Sequence, residues 1–250
     1  MEDIFRGAHA AVDKNALEPL KKYIGKPKFP TKSEVEKAVE FLGIDPEYLY
    51  YDKNNVLYPI VYWKGPVFYG FFGGLNMEAL KMMQVDKYFA QKLKFVEDAI
   101  KTKAFQKLFT RVDKKILIPT FIEMYNDIPD DQKYDVFVDL YMRSEFGFEM
   151  LPREILSDLF KKRNFSGDWK KRMQALKKKL KSSPETVKIY RGVGSKSTKD
   201  GISWTLSKKV AEFFANRFGS RGEVQQKEIN SSEIIDYLTD RGEEEIFIMK

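Results

Sequence analysis

The chain has no cysteine and a single histidine, His9. Disulfide frameworks, thiolate nucleophiles and Cys-rich zinc sites are therefore excluded, and a Ser-His-Asp triad would have to rest on His9 alone. Nor does any stretch approach the roughly 20 uninterrupted apolar residues of a spanning helix, so no membrane span is expected. The opening residues, MEDIFRGAHAAVDK, lack the basic start and apolar run of a secretion signal, which predicts a cytoplasmic protein. Repeats and low-complexity tracts are absent too. What is there is the balance of a soluble globular chain: 250 residues, 43% hydrophobic and 32% charged, enough for one large domain or two modest ones. Chemistry must come from carboxylates, hydroxyls, Arg, Lys or a borrowed cofactor, and no metal is expected.

The net charge of +7 is localised. From Pro184 to Lys250 there are 11 basic and 11 acidic residues, so the whole excess lies before Pro184. One segment accounts for it. Lys161 to Lys181, KKRNFSGDWKKRMQALKKKLK, holds ten basic residues against one acid, Asp168. From Asp168 onward Trp169, Met173, Leu176 and Leu180 recur at helical spacing, which predicts an amphipathic helix near 168–181 with one apolar stripe and a basic remainder. Ser182, Ser183 and Pro184 then read as a helix stop and a linker. A basic face of this density is either a solvated surface or a salt-sensitive contact to a polyanion. The apolar stripe is thin for a membrane surface.

The sequence predicts an α+β protein, with residues 1–183 mainly helical and a shorter module at 184–250. SEVEKAVEFLGI carries a capping box signal (Ser33 with Glu36), places Val35, Val39 and Leu42 on one face, and ends at Gly43. Val56 to Phe72 is β-branched and aromatic with Lys64-Gly65 at its middle. It reads as a hairpin whose Pro59 and Pro66 push it to a sheet edge and whose aromatics are core rather than base-stacking surface. Helical patterns return through Met77 to Leu108, Ile116 to Tyr125, Gln132 to Ser144 and Arg153 to Lys162. After Pro184 the pattern changes to short strands, VKIYRGV, EVQQKEI, EIIDYL and EEEIFIM, around a helix capped by Ser207 and ended by Gly219. Its Val210, Phe213, Phe214 and Phe218 share a face, and Phe213 and Phe214 are expected in the core.

Three signals in this module carry chemistry. Tyr190-Arg191-Gly192 puts an Arg at a strand end; Ser203-Trp204-Thr205 sets two hydroxyls two residues apart; Glu243-Glu244-Glu245 precedes the apolar strand Ile246 to Ile248. Residues i and i+2 of a strand face the same way about 7 Å apart, so Ser203 and Thr205 would share a face, as would Glu243 and Glu245, with Glu244 pointing away. Each signal alone has a plain alternative: a surface Arg, ordinary strand hydroxyls, a solvated acidic turn.

In this order, together with Ala211 and Phe214-Ala215, the motifs resemble those of the Arg-Ser-Glu class of mono-ADP-ribosyltransferases, the cholera-toxin-like group. The resemblance spans Val187 to Met249, about a quarter of the chain, and residues before it take no part. It implies a split β-sandwich with one or more helices at 184–250, NAD as co-substrate without a metal, and release of nicotinamide. It implies Glu245 as the carboxylate that holds the ribose, Glu243 as the group that positions or deprotonates the nucleophile, and Arg191 on the phosphate or ribose. Gly192 would offer its backbone to the nicotinamide amide, Ser203 would orient Glu245, and Thr205 would support the sheet. One of Arg217, Phe218 and Arg221 would touch phosphate or nicotinamide. Such an enzyme is a toxin or effector of a toxin–antitoxin, antiphage or phage system, which brings an antitoxin or inhibitor protein as a partner. The basic helix favours RNA as acceptor; protein arginine is the alternative that the Glu-x-Glu pattern implies. A non-catalytic nucleic-acid or partner-protein binding module is the competing class.

Overall fold

The computed structural model describes residues 12, 14–144, 147–180, 185–194, 201–217, 222–239 and 242–249. His9, Lys181, Phe218, Gly219 and Arg221 lie outside the described residues. The chain divides into two compact units, Met1–Lys162 and Arg163–Lys250. No described helix is long and apolar enough to cross a membrane.

The first unit is mainly helical and also carries a sheet. Strands β1 (Glu18–Pro19), β2 (Leu49–Tyr51), β3 (Ile60–Lys64) and β4 (Val67–Phe71) form an antiparallel sheet in that order. The hairpin expected from Val56 to Phe72 is β3–β4, with Lys64 opposite Val67 and the turn at Gly65-Pro66, where Gly65 takes φ 50°. Both prolines stand outside the ladder, so of the two hairpin strands only β4 is an edge, and β3 pairs with β2 as well. The hairpin's Tyr62, Trp63 and Phe71 are buried, while Phe72 is exposed.

Helix α1 (Lys32–Leu42) starts two residues earlier than the Ser33 signal suggests. The capping box is Thr31 with Glu34: the Thr31 side chain accepts from the Glu34 N–H, and the Glu34 carboxylate accepts from the Thr31 N–H. Both pairs fit the spacing, and the earlier one wins because Thr31 holds extended dihedrals after Pro30 and Ser33 is already helical. Gly43 ends the helix at φ 63°. Helices α2 (Met77–Met82), α3 (Val85–Lys101), α4 (Phe105–Phe109), α5 (Leu117–Met124), α6 (Asp130–Arg143) and α7 (Arg153–Lys162) follow. One core of this unit lies between α1, α3 and the sheet, around Val35, Leu42, Tyr62, Phe71 and Phe89. Phe109, Phe121, Phe137 and Phe160 are buried in the later helices and meet edge-on or tilted.

The second unit begins one helix earlier than the Pro184 linker suggests, because the basic helix α8 (Gly167–Lys179) is part of it. Ser166 caps α8, its hydroxyl accepting from the Trp169 N–H at 2.9 Å. The unit continues with β5 (Thr186–Val193), β6 (Ser203–Thr205), α9 (Lys208–Asn216), β7 (Glu223–Asn230), β8 (Ile234–Leu238) and β9 (Glu245–Ile248). The strands make one antiparallel sheet in the order β7-β5-β6-β9-β8. Where the resemblance implies two sheets, the described residues form one, and that one is nearly parted. β5 and β7 pair continuously from Thr186↔Asn230 to Val193↔Glu223, whereas β5 and β6 meet only at Tyr190↔Thr205.

The pleat assigns the two faces of this sheet to two helices. Val187, Ile189, Trp204, Ile246 and Ile248 face α8, whose Leu176 is buried among them with Met173 and Leu180 packed beside it. Trp169 donates its indole N–H to the Ile235 carbonyl at 2.7 Å. The apolar stripe read from the sequence is thus the contact that seats α8. On the opposite face α9 approaches so closely that a Cβ on Gly192 would stand 2.1 Å from the Ala211 carbonyl oxygen, and one on Gly222 2.2 Å from that of Ala215. Only glycine permits such an approach. Ala211 and Ala215, not the phenylalanines, are therefore the buried stripe of α9, and Phe213 is 64% exposed. The expectation that Phe213 lies in the core fails because helix and strand backbones leave no room for a ring between them.

Candidate active site

The three sequence signals come together on β5, β6 and β9. Antiparallel pairing sets Thr205 opposite Glu245 and Ser203 opposite Phe247, so both hydroxyls and Glu245 stand on the face away from Trp204 and Ile246. The Ser203 hydroxyl donates to Glu245 Oε1. Past the single β5–β6 pair the two strands have parted, and there Arg191 sends its Nη1 across the opening to donate to the Ser203 carbonyl. Ser203 is thus bonded to both, to the Arg191 guanidinium through its backbone carbonyl and to the Glu245 carboxylate through its hydroxyl.

Gly201 belongs to this site, although nothing in its surroundings in the sequence marks it. A Cβ there would lie 2.0 Å from Arg191 Nη2, so the guanidinium fills the space that a side chain would take. Gly192 has a packing reason of its own, the close approach of α9, beside any role toward a ligand. Of the candidates beyond α9, Arg217 stacks its guanidinium 5.8 Å from the Phe214 ring. Phe218 and Arg221 lie outside the described residues.

The acidic turn departs from the simple alternation expected of it. Strand β9 begins at Glu245, and Glu244 adopts φ 46°, after Gly242 at φ 68°. A left-handed residue ends the pleat, so alternation does not carry Glu243 onto the face of Glu245. Its position is set instead by the Glu243 carbonyl, which accepts from Thr205 Oγ1 at 2.6 Å. That same hydroxyl accepts from the Ser207 N–H at 3.0 Å, tying the turn to the start of α9. Thr205, expected only to support the sheet, thus holds the acidic turn. The Glu243 carboxylate makes no hydrogen bond or ion pair among the described residues. The Glu244 carboxylate pairs with Lys179 of α8.

The basic run is less free than it reads. Arg172 makes a bidentate pair with Asp236, Nη2 to Oδ2 at 2.7 Å and Nε to Oδ1 at 3.0 Å. Asp236 is fully buried and also accepts from the Tyr237 N–H at 2.7 Å. The signal for this was present: an Asp inside the apolar strand IIDYL demands a cation. Lys171 hydrogen-bonds Asp168, which raises the lysine's pKa and lowers the carboxyl's. The hydrogen bond it donates to Glu244 likewise holds Lys179 above the usual ammonium range, so it is charged at any ordinary pH. Lys170, Lys177 and Lys178 are exposed and have no acidic partner among the described residues.

No family model, curated protein or solved structure matches the chain. The site therefore stands on its own geometry. Among the described residues no three His, Asp or Glu side chains cluster so as to hold a metal ion.

Proposed function

We propose that the second unit is the catalytic module of an NAD-dependent mono-ADP-ribosyltransferase, and that its acceptor is RNA. The observation that carries this reading is the chain Arg191, Ser203, Glu245, which joins the three motif residues across three strands. The fit to NAD is supported by a guanidinium at the mouth of a parted sheet and by a carboxylate oriented by a hydroxyl.

The chemistry follows from the groups. Rupture of the nicotinamide–ribose bond sends the bonding pair to nicotinamide, which leaves neutral, and builds positive charge on the sugar. A carboxylate fixed beside the ribose stabilises that charge, and the hydroxyl of Ser203 restrains the Glu245 rotamer so that no reorganisation is needed as charge develops. Arg191 keeps its charge at any relevant pH and suits a phosphate oxygen. Glu243, whose carboxylate is not engaged by the described protein, takes the proton as an acceptor hydroxyl or amine adds to the ribose carbon. Glu244 is occupied by Lys179 and has no part in the reaction.

RNA is favoured by the exposed Lys170, Lys177 and Lys178. They lie on a helix whose last turn reaches the acidic turn through Lys179, so phosphates on the helix would lead an acceptor toward Glu243. A cytosolic toxin or effector, held in check by an inhibitor protein, is the setting such an activity suits. The test is to incubate the purified chain with labelled NAD and cell extract, then digest with nuclease or protease. Label that is lost to nuclease supports the proposal; label lost to protease makes protein arginine the acceptor. Absence of both nicotinamide release and label would leave a binding module.

A further inference from the structure

The acidic turn carries one contact that the reaction itself does not need. Glu244 sits between Glu243 and Glu245 in the left-handed region, at φ 46°, a conformation unfavourable for a residue with a Cβ. Two bonds hold it there. Its carbonyl accepts from the Leu206 N–H at 3.1 Å, and its carboxylate pairs with Lys179 at the last turn of α8. The turn is therefore pinned from two directions: by Thr205 of β6 and Leu206 just after it, and by Lys179 from the basic helix. The rest of α8 cannot follow the turn, because Arg172, Trp169 and Leu176 anchor the helix to the sheet. Lys179 is also next to Lys177 and Lys178, which are exposed and have no acidic partner among the described residues.

We propose that Lys179 is a positioning residue for Glu243 and Glu245, and that a polyanion seated on α8 regulates the site by drawing Lys179 away from Glu244. The inference rests on the transferase reading for its consequence in catalysis, but the tether itself does not. The side chains of Lys179 and Glu244 are 42% and 32% exposed, and an ion pair in such a place is weak. A run of phosphates offers Lys179 several oxygens at once and the release of counterions besides, so it competes well with a single carboxylate. Loss of the tether leaves Glu244 free to abandon its left-handed backbone and carries Glu243 and Glu245 with it. A polyanion that reaches Lys179 is thus inhibitory, whereas an acceptor held by Lys170, Lys177 and Lys178 alone leaves the tether in place.

Amide hydrogen exchange at Leu206, the donor to the Glu244 carbonyl, reads the tether directly. In Lys179→Gln the Leu206 amide should exchange about two- to fivefold faster, the range that a partly exposed ion pair commands. Lys179→Arg should restore protection, and so should the reversed pair Lys179→Glu with Glu244→Lys. Inorganic polyphosphate should speed the exchange in the wild type and add nothing in Lys179→Gln. Where nicotinamide is released, Lys179→Gln should lower kcat and leave KM for NAD nearly unchanged, because the turn and not the NAD-holding Arg191 is disturbed. Equal Leu206 exchange in wild type and Lys179→Gln overturns the positioning role. Exchange that polyphosphate leaves unaltered in the wild type overturns the regulation. If no nicotinamide is released by any form, the transferase reading fails alone, since the exchange measurements still decide the tether.

Discussion

The two faces of the five-stranded sheet are built from alternate residues of the same strands, yet they have different roles. Toward α8 the strands present Val187, Ile189, Trp204, Ile246 and Ile248, and the helix closes over them with Leu176 and a buried ion pair. Toward α9 they present Gly192, Ser203, Thr205, Glu245 and the buried Phe247, and Ala211 and Ala215 of the helix press on Gly192 and Gly222. One face supplies stability and the other presents polar groups. The difference shows how a three-residue strand such as Ser203–Thr205 can serve both: its central Trp204 is core, and the hydroxyls flanking it are site.

The strongest way to break the packing against α8 is to break the pair of Arg172 with the buried Asp236. Asp236→Ala leaves the Arg172 guanidinium without its carboxylate and should cost about 3–5 kcal/mol in urea unfolding. Replacing both partners by apolar residues of similar volume should recover most of that loss. A cost under about 1 kcal/mol for the single change would mean that the pair is dispensable and that Leu176 alone seats the helix.

On the polar face, Glu245→Gln keeps the shape and removes the charge. Nicotinamide release should fall about 10²- to 10³-fold, the scale for removing one preorganised electrostatic interaction, while the unfolding midpoint stays near that of the wild type. Glu244→Gln should change turnover by no more than a few-fold. Equal damage at the two positions would mean that the faces are assigned the wrong way round.

Gly192→Ala tests the packing on the polar side. Its methyl group would run into the backbone of Ala211 and Ala215, and the shift of α9 should cost about 1–3 kcal/mol. A stable Gly192→Ala protein that nevertheless bound NAD more weakly would instead favour a direct role of this backbone toward the ligand.

The smallest expected effect is on the surface. Changing Lys170, Lys177 and Lys178 to Gln should weaken RNA binding and flatten its log–log salt dependence by about 0.7 for each single-strand phosphate that the helix no longer neutralises. Hydrolysis of NAD should continue, and unfolding should be unaffected because none of the three is buried. Arg172 must be left out of any such set: it is part of the core, and its removal would imitate weakened RNA binding through unfolding.

Much of this architecture was legible in the chain. Ser207 as a helix cap, Gly43 as a helix stop, the β3–β4 hairpin and the apolar stripe of α8 follow from local rules, since a cap or an amphipathic period acts within a few residues. Local rules fail where two signals of equal local merit compete, as Thr31 and Ser33 do for the start of α1. They fail again where the partner is far along the chain. Nothing near Phe213 says that Gly192 and Gly222 will bring two backbones too close for a ring, and nothing near Lys179 says that Glu244 awaits it.

The sequence by itself determined which residue types are available for chemistry, where the charge excess lies, and the order Arg191, Ser203, Thr205, Glu243, Glu245, because these are properties of the chain whatever its shape. Only the tertiary structure decided which of those groups meet. Strand order set Ser203 against Glu245, the parting of β5 from β6 let Arg191 reach across, and the burial of Asp236 withdrew Arg172 from the basic surface. The physical reason is range: propensity and periodicity act over a few residues, whereas hydrogen bonds and ion pairs depend on distances that only packing sets.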